Sequence, residues 1–239
     1  MWIGISVGAL VVIAFIALSV MAGGPKDAVY MVRYALPHMH RGNLKVGDAA
    51  PDARVFALSG TETFHIRERT GAKPLVIVFG SFTCPPFRRQ VGDIVQIFDD
   101  YKDHADFLTV YVREAHPTDE WQMKSNVKDD VCYAQPRTLS DRLAIANDFT
   151  KRFKYPLPFG VDDMQNAAND AYAAWPERLY VIDENGKIAY RGGMGPFNYN
   201  PAEVRAWLAS RYGEVKHPEA KPAPTEKEPE KKEAREKKS

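Results

Sequence analysis

Cysteine is scarce in this chain: two among 239 residues, Cys84 and Cys132. That number excludes a disulfide scaffold, and no paired-cysteine spacing of a zinc site occurs. An excess of charge of one sign is missing too. Lys and Arg number 32 against 31 Asp and Glu, a net charge of +1, so no global field recruits nucleic acid. No internal repeat is visible. Between residues 2 and 21 there is no charge at all. That run is about as long as the ~30 Å hydrocarbon core of a bilayer requires. A cleaved signal peptide would place a positive residue before a shorter apolar core. No Lys or Arg precedes this run, so an uncleaved single-pass transmembrane anchor is expected over residues 2–22. The charges that follow, Lys26, Arg33, Arg41 and Lys45 against Asp27 alone before Asp48, predict that the C-terminal side stays in the cytoplasm.

What is present beyond the anchor divides by composition. Residues 23–45 read as a juxtamembrane connector and 46–212 as a globular domain. Residues 213–239, mostly Lys, Glu, Pro and Ala, read as a disordered charged tail. Inside the domain, residues 74–79 form a short apolar, β-branched run, a buried strand. Pro85 and Pro86 then open a helical stretch through Val91, Ile94, Val95 and Phe98, which share one face. The pattern predicts a second buried strand over 107–112, a helix over 139–153 and a third strand over 179–182. Asn185-Gly186 is a hairpin turn with a returning strand over 187–190, and a last helix covers 201–211. This α/β alternation follows the order of the thioredoxin fold.

The chemistry centres on Cys84, after a predicted buried strand and before a proline-started helix. Free N–H groups and the dipole at such a helix start favour the thiolate, so a lowered pKa and a nucleophilic sulfur are expected. The plainer alternative is a small apolar residue at a strand end. Ser81 and Thr83 are expected to give hydroxyl hydrogen bonds to the sulfur or to a substrate. Phe87 sits where a Cys-x-x-Cys motif has its second thiol, so oxidised Cys84 must be resolved by Cys132, in a polar loop, or by an outside thiol. Pro176 precedes a strand at the place where thioredoxin-like proteins have a cis-proline facing the thiol. Glu114 and His116 lie just beyond a buried strand, at the edge where α/β proteins build sites, and histidine titrates near neutrality.

These segments resemble the iodothyronine deiodinase family. Gly80-Ser81-Phe82-Thr83-Cys84-Pro85-Pro86-Phe87 matches that family's selenocysteine segment, with Cys84 at the selenocysteine position. The run from Tyr111 to Trp121, with Glu114-Ala115-His116-Pro117, matches a second motif. Asp163-Met164-Gln165-Asn166, then Pro176-Glu177-Arg178-Leu179-Tyr180-Val181-Ile182, then Gly195-Pro196-Phe197-Asn198-Tyr199-Asn200-Pro201 follow in order. The resemblance covers roughly residues 46–212. It implies a thioredoxin-like, peroxiredoxin-related fold with an N-terminal transmembrane helix, and a homodimer. It also implies reductive removal of iodide from an iodinated phenol, with no bound cofactor or metal and an external thiol reductant as co-substrate. Cys84 would take the halogen and Glu114 and His116 would deliver the proton. Tyr111, Ser81 and Thr83 would line the site, and Arg178 would meet the substrate's carboxylate end. The chain departs from the family in three ways: sulfur replaces selenium, which implies slow turnover, Phe82 replaces a cysteine, and Pro136 replaces a substrate-contacting histidine.

Two readings compete. In a peroxiredoxin-like thiol peroxidase, Cys84 would attack peroxide and become a sulfenic acid. The opening over residues 46–52 suits that superfamily, but Thr83 abuts Cys84 and the usual Pro-x-x-x-Thr/Ser-x-x-Cys spacing is absent. The other is a membrane-tethered thiol–disulfide oxidoreductase, or a scaffold that binds a partner through its charged tail.

Overall fold

A computed structural model describes residues 2–216, with side chains from residue 7 onward. The expected disordered tail lies outside the described residues from 217 on.

The centre of the fold is built from its most apolar runs. Strands β3 (Leu75–Gly80) and β4 (Asp106–Tyr111) pair in parallel, Val76 opposite Phe107 and Gly80 opposite Tyr111. β-branched residues suit a pleat covered on both faces, and β3 is buried along its whole length. Side-chain alternation sends Val76 and Val78 into one core, and Leu75, Ile77 and Phe79 into the other. β6 (Arg178–Ile182) runs antiparallel on the far side of β3, and β7 (Ile188–Arg191) returns beside β6. Beyond β4 lie β5 (Phe159–Val161), β1 (Arg54–Ala57) and β2 (Thr63–His65). The sheet order is β2-β1-β5-β4-β3-β6-β7.

Helix α6 (Leu139–Phe153) has the predicted bounds, closed at its start by a reciprocal Thr138–Asp141 capping box. The helix predicted from Pro85 is two helices, α3 (Pro85–Arg89) and α4 (Val91–Tyr101), broken at Gln90. Helix α8 (Pro201–Tyr212) follows, with Val204 and Leu208 in the same core as Ile94 and Ile97 of α4. Short α5 (Lys124–Lys128) and α7 (Ala167–Tyr172) fill loops that the periodicity does not mark.

The connector is not a passive link. After α1 (Trp2–Ala22), α2 (Pro25–Tyr30) continues as a π-helical turn over Met31–Ala35 and a 3-10 turn over Leu36–His38. Ala28, Met31 and Ala35 are buried in the core that holds Cys84 and Trp175. By contrast Leu10, Val11, Ile13, Ile16 and Val20 of α1 are exposed. Among the residues with described side chains, no single helix is long and apolar enough to cross a membrane. The stretches Val7–Ala22 and Pro25–His38 reach that length only together, bent by 98°.

Candidate active site

β3 delivers the chain to Cys84, which caps the N-terminus of α3. The loop between them is tied down by buried polar side chains. Arg88 donates to the Phe82 carbonyl at 2.7 Å, to Asn126 Oδ1 at 2.9 Å and to Asp129 at 2.8 Å. Asn126 in turn donates to the Thr83 carbonyl at 2.8 Å. Glu114, at the end of the β4 segment, accepts from the Thr83 N–H at 2.9 Å, from the Thr83 hydroxyl at 2.6 Å and from the Tyr111 hydroxyl. Tyr111 accepts from the Phe82 N–H at 2.9 Å, and Ser81 accepts from the Ala115 N–H at 3.1 Å. The hydroxyls of Ser81, Thr83 and Tyr111, expected at the sulfur or substrate, thus serve the loop instead. They knit it to residues 114–116 because a buried strand end must satisfy its own polar groups. Glu114 lies behind the loop with them, its pKa raised by burial.

The other face of the loop opens on an apolar cavity of about 380 Å³. Its walls include Met21, Met31, Met39 and Met123 with Trp121 and Trp175. Cys84, His116, Pro176 and Glu177 share the lining. His116 is held on its backbone N–H by Thr83 Oγ1 at 3.1 Å. Its Nδ1 meets the Trp121 carbonyl at 3.1 Å, so Nδ1 carries the proton and Nε2 is the unprotonated nitrogen. Burial holds the ring's pKa down at about 4. The Trp175–Pro176 bond is cis, as expected for Pro176.

The expected low pKa of Cys84 is overturned. The thiol is 1% exposed and donates to Glu177 Oε2 at 2.6 Å. Burial pushes its pKa up first, and the Glu177 charge and hydrogen bond push it further. The Phe87 N–H and the Arg88 charge act the other way but are smaller. Helix α3 has only five residues, too few for a dipole that outweighs desolvation. Burial likewise raises Glu177 to about 7.

The iodothyronine deiodinase family model matches residues 29–212. The chain belongs to the iodothyronine deiodinase family. It is 42% identical over 167 residues to a type I iodothyronine deiodinase of Xenopus laevis, covering 70% of this chain and 64% of that protein. It is 41% identical over 166 residues to a thyroxine 5-deiodinase of Gallus gallus, covering 68% and 62%. The chain thus spans just under two thirds of the length of these two deiodinases. Among solved structures, a thiol:disulfide interchange protein from Bacteroides sp. matches with a TM-score of 0.51 at 13% identity, over 72% of this chain and 93% of that one. A peroxiredoxin-like protein from Aquifex aeolicus matches with a TM-score of 0.50 at 17% identity, over 71% and 88%. Both likenesses carry the thioredoxin-like, peroxiredoxin-related fold.

Besides Ser81, Thr83, Tyr111 and Glu114 behind the loop, two more residues singled out from the sequence, Arg178 and Cys132, lie away from the cavity lining. Arg178 is fully buried, points with Tyr180 to the opposite core, and donates Nη1 to the Arg41 carbonyl at 2.9 Å. Cys132 is an exposed free thiol, 3.4 Å from the Gln122 amide. Glu177 is a cavity residue to which the sequence assigns no role. It sits in a quoted motif, next to Pro176, and that adjacency was the available signal.

Proposed function

We propose that this chain is a membrane-anchored, thiol-dependent dehalogenase that removes iodide from iodinated phenolic compounds. The observation that carries this is the buried Cys84 thiol at the wall of a methionine- and tryptophan-lined cavity. Such walls favour a flat, polarizable aromatic ring, and methionine sulfur contacts aromatic rings well. A peroxide needs no such volume, which disfavours the peroxidase reading.

In the proposed reaction Cys84 sulfur attacks the iodine. The carbon–iodine bond breaks, a sulfur–iodine bond forms, and the ring carbon takes a proton. Carbon is reduced by two electrons and sulfur is oxidised. An external thiol then displaces iodide to give a mixed disulfide, and a second thiol releases Cys84. Cys132, exposed and outside the cavity lining, is left out of this cycle. No bound cofactor or metal is invoked. His116 orients the phenol through Nε2, while Glu114, Ser81, Thr83 and Tyr111 hold the loop that carries the nucleophile. The exposed apolar α1 is the anchor, with the domain on the cytoplasmic side, and two copies associate as in the family resemblance.

The test incubates detergent-solubilised protein with dithiothreitol and an iodinated phenol. Iodide release is expected, lost on Cys84→Ser and kept on Cys132→Ser. Rapid consumption of hydrogen peroxide with no iodide release would replace this reading with the peroxidase.

A further inference from the structure

We propose that Glu177 is a second catalytic residue, which takes the Cys84 proton as the sulfur attacks and passes it to the ring carbon that loses iodine. The destination of the proton rests on the dehalogenase reading; the thiol–carboxyl pair itself does not.

The geometry is specific. The Cys84 thiol donates to Glu177 Oε2 at 2.6 Å, and both residues line the cavity. The other oxygen, Oε1, is buried with no hydrogen-bond partner among the described residues. A buried acceptor without a partner is unusual, and it leaves the carboxyl of Glu177, a residue of the cavity lining, with a free site for a proton. The backbone is shaped around it: a Cβ on Gly195 would collide with this carboxyl, so only glycine leaves the space.

The alternatives are occupied. His116 commits its one proton to the Trp121 carbonyl, and burial keeps the ring neutral at ordinary pH. Glu114 is filled by the two donors of Thr83 and by Tyr111, behind the loop. The remaining charged and titratable groups near the pair are Arg88 and Arg89 on α3, and Tyr199 with Tyr155 and Asp93 beyond it. Tyr199 is pushed far above neutrality by burial, so it keeps its proton. Glu177, raised by burial to about 7, can both take and give one near neutral pH.

The balance closes without another reagent in this half-reaction. Thiol and aryl iodide become sulfenyl iodide and arene, and the hydrogen on the arene is the one the thiol gave up. Glu177 moves it and returns to its starting state.

The experiment compares the full chain with Glu177→Gln in detergent. Alkylation of Cys84 by iodoacetamide is followed against pH by peptide mass spectrometry, and iodide release from an iodinated phenol is measured with dithiothreitol. Removing the neighbouring anion should lower the pH midpoint of Cys84 alkylation, while iodide release falls ~10²–10⁴-fold. Unfolding would also expose the thiol and slow turnover, because burial is the first cause of its raised pKa, so both readings are taken on Glu177→Gln with a melting temperature and a protease resistance matching the parent. Glu177→Asp, with a carboxyl on a shorter arm, should keep more iodide release than Glu177→Gln at a similar melting temperature. Iodide release near the parent level in Glu177→Gln, or a midpoint that stays or rises, overturns the proposal. A lowered midpoint with no iodide release even from the parent chain overturns the ring carbon as destination. That failure then lies with the dehalogenase reading.

Discussion

Three donors converge on the single carboxyl of Glu114, and they fix where the Cys84 sulfur sits. Two of them belong to Thr83, the residue before Cys84, so the position of Cys84 is set by a buried acceptor 31 residues beyond Thr83. Glu114→Gln keeps the shape but turns an amide N–H₂ toward those donors. Leaving buried donors unmet costs about 1–3 kcal/mol. Chemical denaturation should report that loss, and Cys84 should alkylate faster as its loop loosens. At this scale the sequence is legible where chemistry follows from residue type and local position. Cys84, His116 and Pro176 all line the cavity as their motifs suggest. It is illegible where a partner is distant. Glu177 lies 93 residues from the thiol it bonds, and Ser81 and Thr83 aim at a loop 33 or 34 residues away rather than at the sulfur. No spacing rule encodes such pairings.

Element by element, legibility follows length and periodicity. α6, with its capping box and 15 residues, is read from the sequence with its true bounds. β5 has three residues and pairs with β1 through Gly160, where Val55 packs so close that a side chain would have to displace it. A three-residue strand has too few alternations to register as one. The helical turns of the connector go unmarked by the sequence for a related reason. Ala28, Met31 and Ala35 are buried at steps of three and four, but the six-residue α2 and the five-residue π-turn that carry them are too short for a period to stand out. The connector's packing is nonetheless firm: just before it Trp121 donates its indole N–H to the Ala22 carbonyl at the end of α1 at 3.2 Å, and within it Met31 is 9% exposed. Met31→Asp would put an unpaired charge there, which apolar surroundings do not tolerate. The connector should then detach, seen as faster trypsin cleavage at Lys26, Arg33 and Arg41 and as faster alkylation of Cys84. Unchanged cleavage would mean that the connector does not seal the cavity.

Over the whole molecule, the cavity lies where the end of α1 and the connector meet the thioredoxin-like domain. Met21 ends the exposed apolar helix and also lines the wall beside Cys84. The same burial that makes the cavity dry sets how the fold responds to pH. His38 and His116 are both held down at about 4 by burial, so below pH 6.5 the unfolded chain takes up protons that the fold refuses, and acid destabilises. Glu177, raised from 4.5 to about 7, and Asp162, raised from 3.8 to about 6, act in the opposite sense. For Glu177 both states are protonated below pH 4.5. Between 4.5 and about 7 only the unfolded chain releases its proton, so this group's contribution falls as pH rises and levels off above 7. Glu177→Gln removes that dependence. Relative to the parent, the variant should therefore gain stability with rising pH, by about 3 kcal/mol across the window, and stay level above it. Denaturant unfolding of the two chains at matched pH values measures the difference directly, free of the other titrating groups they share. A difference that does not change between pH 4.5 and 7 would mean that Glu177 titrates as an ordinary exposed carboxyl, and that its bond to Cys84 is not kept in solution.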